Sequence, residues 1–259
     1  MNIRKCRVVC FSPTGGTAKI AAAVARGMGF SVVVSDLTLP LHEERAPMSV
    51  EKEFVILAAP VYYGRVAKTA MERMASLQGG GNPALVLLSY GNRHYDDALQ
   101  ELYTLAEAAG FIPVAAAAFV AEHSFCTAAF PFAAGRPDGA DLSAAEDFGR
   151  RLASQLRDGV VKLPGVPGNF PYKEYPDMHR APLCTEACSL CGTCVSLCPV
   201  GAIYMEERIR TDEQRCIICQ ACVKGCPEGA RVDTATGASE TRERLSTLIK
   251  ERREPEIFF

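Results

Sequence analysis

The sequence predicts an α/β fold, a doubly wound five-stranded parallel sheet, followed by a small α+β unit built around cysteines. Three observations predict it. Over the first 160 residues, short β-branched apolar runs alternate with segments of helical periodicity. Eight cysteines then fall between residues 188 and 226 in two copies of one spacing. Between the two regions lies a stretch with five prolines, residues 163–182, the composition of an extended, semi-rigid connector. The expected organisation is a sheet domain over 1–162, the connector over 163–182, a cysteine domain over 183–232 and a tail with a short helix over 233–259.

The elements follow in order. Residues 6–11 form a buried strand, and an Ala-rich helix runs from Ala18 to Met28. Phe30–Asp36 is a second strand on its valine content. Residues 37–52 are polar and interrupted by proline, so the crossover there is short or irregular. Glu53–Pro60 is a third strand, and a helix over Arg65–Gln78 leads to a fourth at Ala84–Ser89. Apolar residues at 98, 99, 102, 105, 106 and 109 predict a helix over His94–Ala109. Ile112–Val120 is the fifth strand, 121–140 an irregular aromatic segment, and Leu142–Arg157 the last helix of this region. Ser239–Arg253 reads as a short amphipathic helix, after which Ile257-Phe258-Phe259 is expected to dock back onto the body.

Composition narrows the function. With 48% hydrophobic and 22% charged residues, the 259-residue chain is globular in character. A net charge of −2 argues against a nucleic-acid partner. No apolar run is long enough to span a bilayer and no signal peptide is evident, so a reducing, cytoplasmic setting is expected.

The two cysteine runs are Cys188-x2-Cys191-x2-Cys194-x3-Cys198-Pro and Cys216-x2-Cys219-x2-Cys222-x3-Cys226-Pro, offset by 28 residues. This is the ligand run of [4Fe–4S] clusters, in which the fourth cysteine serves the other copy's cluster. One cluster is thereby assigned Cys188, Cys191, Cys194 and Cys226; the other takes Cys216, Cys219, Cys222 and Cys198. A disulfide framework would need an oxidising compartment, and structural zinc favours separate C-x2-C pairs.

After the first strand, Ser12-Pro13-Thr14-Gly15-Gly16-Thr17 leads into a helix, an arrangement in which backbone N–H groups and the helix dipole meet a phosphate. It has neither the lysine of a Walker A loop nor the G-x-G-x-x-G fingerprint. A phosphomonoester held by neutral donors suits FMN; the alternative is a Ser/Gly N-cap turn with no ligand. The third and fourth strands end in Pro60-Val61-Tyr62-Tyr63-Gly64-Arg65 and Ser89-Tyr90-Gly91-Asn92-Arg93-His94, where tyrosines beside glycines offer flat faces and backbone groups to an isoalloxazine ring.

On these loops, residues 1–160 resemble a flavodoxin domain, and residues 183–232 resemble bacterial-type two-cluster ferredoxins. Together, with Tyr90-Gly91-Asn92-Arg93 and Glu122-His123-Ser124, the chain resembles a bacterial family of flavodoxin–ferredoxin fusions. The resemblance implies FMN binding by Ser12, Thr14, Gly15, Gly16, Thr17, Pro60, Val61, Tyr62, Tyr63, Gly64, Tyr90, Gly91 and Asn92. Because the chain has no tryptophan, ring stacking must fall to tyrosine or an apolar side chain.

Other candidates carry two readings each. Arg65, Lys68 and Arg93 either balance a flavin's charge or pair at the surface. His123 either approaches the ring or is satisfied by a backbone carbonyl. Cys6 and Cys10 read as core and Cys126 has no sequence partner, whereas Cys184 is a spare thiol or a substitute ligand. No acid–base or nucleophilic constellation is visible among the 4 histidines. The expectation is therefore an electron-transfer protein working with redox partner proteins. The alternatives are an oxidoreductase acting on NAD(P)H, a quinone or another small molecule, and a flavin-free scaffold for the clusters.

Overall fold

The computed structural model of the protein describes residues 3–40, 52–159, 161–163, 165–233 and 237–259. Valine- and leucine-rich segments form β1 (Lys5–Cys10), β2 (Ser31–Asp36) and β3 (Phe54–Tyr62), with helix α1 (Gly16–Met28) between the first two. A two-residue strand β4 (Arg65–Val66) and helix α2 (Lys68–Met74) precede β5 (Pro83–Tyr90); α3 (Ala98–Ala108), β6 (Ile112–Val120) and α4 (Gly139–Asp158) complete the alternation. The cysteine region holds β7 (Leu183–Cys184), α5 (Thr193–Ser196), β8 (Ile203–Met205), β9 (Ile209–Thr211), α6 (Ala221–Lys224) and β10 (Arg231–Val232). A last helix, α7 (Ala238–Leu248), and strand β11 (Glu256–Phe258) end the chain.

Five strands pair in parallel in the order β2-β1-β3-β5-β6. Counting those strands alone, the order is 2-1-3-4-5, the doubly wound flavodoxin-like topology with its switch point between β1 and β3. Buried clusters lie on both faces, one under α1 and α4 and one under α2 and α3. That is why β3 and β5 read as continuous apolar runs rather than alternating ones. Cys6 and Cys10 are fully inside the first cluster, as expected of core residues.

Several boundaries differ from the sequence expectation, each for a local reason. The helix expected from Arg65 begins only at Lys68, because β3 runs on and folds back as a hairpin with β4, pairing Val61 with Val66 and Tyr62 with Arg65. Gly64, at φ +81°, makes that turn. The helix expected from His94 starts at Ala98, since His94 Nδ1 accepts the Asp96 N–H and Asp96 has a positive φ. Helix α4 starts at Gly139 instead of Leu142, because Asp138 caps it reciprocally with Asp141. The residue 37–52 connection lies largely outside the described residues.

The tail does more than touch the body. β11 adds to the sheet antiparallel to β6, pairing Glu256 with Ala118 and Phe258 with Ala116. The cysteine region is fastened to the sheet domain by Arg73, whose guanidinium donates to Leu37 O, Thr38 O and Pro199 O, and by the Lys224–Glu122 ion pair. Among the described residues no helix is long and apolar enough to cross a membrane.

Candidate functional site

At the carboxyl ends of β1, β3, β5 and β6 lies a cavity of about 700 Å³, within the ~300–1,000 Å³ typical of small-molecule sites. Its sheet-side walls include Thr14, Gly16, Thr17, Pro60, Val61, Tyr62, Tyr63, Gly64, Tyr90 and Gly91. These come from three separate loops of the sequence and meet because the switch point of the sheet brings those strand ends together. Three other candidates do not line it. Ser12 and Gly15 hold the loop's shape: Gly15 N–H donates to Ser12 O, Ala18 N–H to Ser12 Oγ, and Ser12 N–H to Thr38 Oγ1. The Asn92 side chain is spent on the tail, donating to Glu251 O at 2.7 Å and accepting from Arg253 N–H at 3.0 Å.

The phosphate-loop geometry is intact at the start of α1. The N-cap residue Gly15 has no side chain; Ser12 Oγ takes the Ala18 N–H, and the positive end of the helix dipole faces the loop. Thr17 is buried and shares a 2.6 Å hydrogen bond with Ser89, tying the helix start to β5. Gly91 is required by close packing, since a Cβ there would overlap the His123 ring.

His123 lines the cavity, and neither sequence reading described it fully. Its Nδ1 accepts the Phe125 N–H at 3.0 Å, and its ring lies against Phe125 and Phe132. Burial, with Lys224 and Arg93 nearby, lowers its pKa to about 4. The imidazole is neutral with its proton on Nε2, a fixed donor. Arg93 also lines the cavity and pairs with Asp96 at 2.5 Å. Arg65 is instead locked to Glu101 at 2.5 Å, with its guanidinium over Tyr172 and Tyr175.

The remaining walls come from later in the chain and carried no local signal. The connector contributes Lys173–Met178, helix α7 contributes Thr241, Arg244, Leu245 and Leu248, and the cysteine region contributes Ile217 and Ile218. The connector is held in place by Asp97, whose carboxylate accepts from Asn169 N, Asn169 Nδ2 and Lys173 N at 2.8–3.0 Å. Tyr175 Oη is buried without a hydrogen-bond partner among the described residues, a deficit that a polar ligand would relieve.

The eight cysteines gather in two groups. One hollow is lined by Cys188, Cys191, Cys194 and Cys226, the other by Cys198, Cys216, Cys219 and Cys222, so the fourth cysteine of each run stands with the first three of the other. Among the described residues no three His, Cys, Asp or Glu side chains converge as a single metal ion requires; a four-iron cube takes its thiolates from around its corners. Burial pushes the Cys219 thiol up to about 12 and Cys216 to about 11, so ligation there must displace protons. Cys184 sits against Cys188, with burial first and then that neighbour raising its pKa.

The second group borders the cavity. Ile217 and Ile218, between Cys216 and Cys219, line both the cavity and that group's hollow. Burial and then the nearby Cys219 raise the Tyr62 pKa well above the ordinary tyrosine value; Tyr63 is raised by burial, against Arg180, with Cys216 adding.

Residues 187–230 match the 4Fe-4S dicluster domain family. No curated protein sequence matches the chain. Among solved structures, the chain is similar to a flavodoxin from the domain Archaea, with 17% identity over 59% of this chain and 99% of that one, at a TM-score of 0.37. A flavodoxin of Streptococcus pneumonia TIGR4 gives 20%, 58%, 99% and 0.41. Rubredoxin oxygen:oxidoreductase from Desulfovibrio gigas gives 14%, 60%, 36% and 0.42. By its own strand order and by the family matched at residues 187–230, the chain joins a flavodoxin-like α/β domain to a 4Fe-4S dicluster domain.

Proposed function

We propose that the protein is an electron-transfer protein that holds FMN in the sheet-edge cavity and a [4Fe–4S] cluster in each cysteine group, and that serves redox partner proteins. One observation carries this reading: the Cys216–Cys219 loop forms a wall of the same cavity that the strand-end loops build. FMN, when bound, accepts two electrons and releases them singly, whereas a [4Fe–4S] site handles one.

The chain's own residues have distinct tasks in this reading. Thr14, Gly16 and Thr17 present donors to a phosphate at the start of α1. Tyr62 and Tyr63 offer aromatic faces beside the cysteine loop, and both phenols stay neutral because burial raises their pKa. His123 Nε2–H is a neutral donor whose orientation Phe125 N–H fixes. The connector and α7 add walls to the cavity, which stays partly open to solvent; the Ile217–Ile218 wall, shared with a cysteine group, is what favours a carrier over an enzyme acting directly on NAD(P)H.

The test is anaerobic reconstitution followed by quantification of flavin, iron and sulfide. One FMN and about eight irons per chain are expected from two four-iron sites. Iron and sulfide without acid-releasable flavin would overturn the flavin half of the reading. Iron near four per chain would overturn the second cluster.

A further inference from the structure

The two cysteine groups are not equivalent in their surroundings. The group of Cys216, Cys219, Cys222 and Cys198 is the inner one: Cys198, Cys219 and Cys222 are buried, and its loop borders the flavin cavity. The group of Cys188, Cys191, Cys194 and Cys226 is the outer one. Its Cys191 is exposed, the adjoining Leu190 is 42% exposed, and none of its residues lines that cavity.

The surface beside the outer group is acidic. The buried Arg231 is shared by both groups, reaching to 3.9 Å of Cys222 and lining the outer hollow, and Lys224 is paired with Glu122. Residues 181–207, which include most of the outer loop, contain no lysine or arginine. Exposed Glu186 precedes that loop, and exposed Glu228, which accepts from Ser189 Oγ, follows Cys226. The hairpin whose Ile209 closes the outer hollow carries Glu206 and Glu207 at its turn; of its two cations, Arg210 is paired with Glu206. Thiolate-ligated clusters are themselves anionic, which deepens the negative potential at this face.

We propose that the outer group's face, centred on Cys191 and Leu190 and rimmed by Glu186 and Glu228, docks a redox protein whose one-electron centre is rimmed by lysine or arginine. This rests on the reading that the cysteine groups hold clusters. An exposed cluster edge with an apolar centre and an acidic rim gives the partner a short approach and electrostatic steering. In each event one electron leaves the outer site and reduces the partner's oxidised centre; no bond is made and no proton moves. Two such events discharge a two-electron donor at the cavity.

The test uses the reconstituted full chain and, as the probe, a lysine-rich c-type cytochrome in its ferric form. Binding is first measured by calorimetry with both proteins oxidised, so no electron moves and flavin content is irrelevant. Glu186→Lys with Glu228→Lys is expected to weaken binding by about tenfold or more at low salt and to flatten its salt dependence. The same charge change on α4, Asp147→Lys with Asp158→Lys, is expected to change it little. Stopped-flow reduction of the cytochrome by pre-reduced protein should slow in parallel, with iron content and the cluster EPR signals unchanged.

Equal weakening by both pairs of substitutions, or no effect of the first pair, would overturn the docking face. So would sedimentation showing that this face joins two copies of the chain, or tight binding that salt does not weaken. Loss of flavin with normal binding would instead overturn the cavity reading and leave this face standing.

Discussion

At single residues, backbone conformation repeats the internal duplication more clearly than side chains do. Leu190 and Ile218, one repeat apart, both have φ +56°, and Gly192 and Gln220 follow at +75° and +65°. A β-branched residue in the left-handed region is an outlier, so Ile218 is held there by the geometry that aims Cys216 and Cys219 at one hollow. The same scale explains His123. Its folded pKa of about 4 lies below the ordinary 6.5, so between those values the unfolded chain binds the proton and the folded one does not. Stability from this group is therefore complete above 6.5 and declines as pH falls toward 4, by roughly 3 kcal/mol across the interval. Burial opposes ionisation of Glu122, yet hydrogen bonds from Lys224 and Gly135 hold its pKa below the ordinary carboxylate value. Replacing His123→Phe should flatten the stability–pH slope in that window. Guanidinium titration of anaerobic protein at several pH values checks this, and an unchanged slope would show that another group carries it.

At the level of elements, the C-terminal tail behaves as a strap across the sheet edge. Arg136, ion-paired with Asp141, donates to Arg253 O; Arg252 pairs with Asp138; Tyr95 Oη donates to Glu256 at 2.7 Å. Asn92 supplies two more hydrogen bonds from the loop that follows β5, and at φ +66° it occupies a conformation that asparagine and glycine tolerate. Asn92→Gly keeps the backbone and removes both bonds, at an expected cost of about 1–3 kcal/mol. The strap should then loosen, so limited proteolysis should cut first between α7 and β11. A variant as resistant as the parent would mean that β11 pairing alone holds the tail. The parallel strands and the cysteine groups were legible in the sequence because apolar runs and ligand spacing are local signals. The strap was not, because Asn92 and Arg136 find partners 117 to 161 residues away. The β3–β4 hairpin was missed for a different reason: Gly64 signalled a turn, but the apolar spacing after it also fits a helix.

At the level of the whole molecule, the coupling of cavity to cysteine loop depends on how the connector is anchored, and its five prolines reveal only that it is extended. Asp97 is the anchor, a buried carboxylate with three N–H donors from the connector. Burial opposes its ionisation, yet the bonds from Lys173 N and from Asn169 hold its pKa below the usual carboxylate value. Nearby, Arg65 donates to Lys173 O and stacks on Tyr172 and Tyr175, so one cluster of contacts fixes the cavity wall formed by Lys173–Met178. Asp97→Asn leaves the size of the side chain unchanged but replaces one acceptor oxygen with a donor that faces N–H groups. Losing hydrogen bonds to a charged acceptor costs about 1.5–3 kcal/mol each at most, and here the loss falls on the wall rather than on the sheet. With FMN in the cavity as proposed, the variant should therefore keep its iron and its far-ultraviolet spectrum while releasing FMN more readily, seen as a rise in free-flavin fluorescence on dilution. Flavin retention equal to the parent's, in a variant whose connector is demonstrably more protease-sensitive, would show that the sheet-side loops hold the ring without this wall. Loss of iron together with flavin would show that Asp97 supports the docking of the cysteine domain as well.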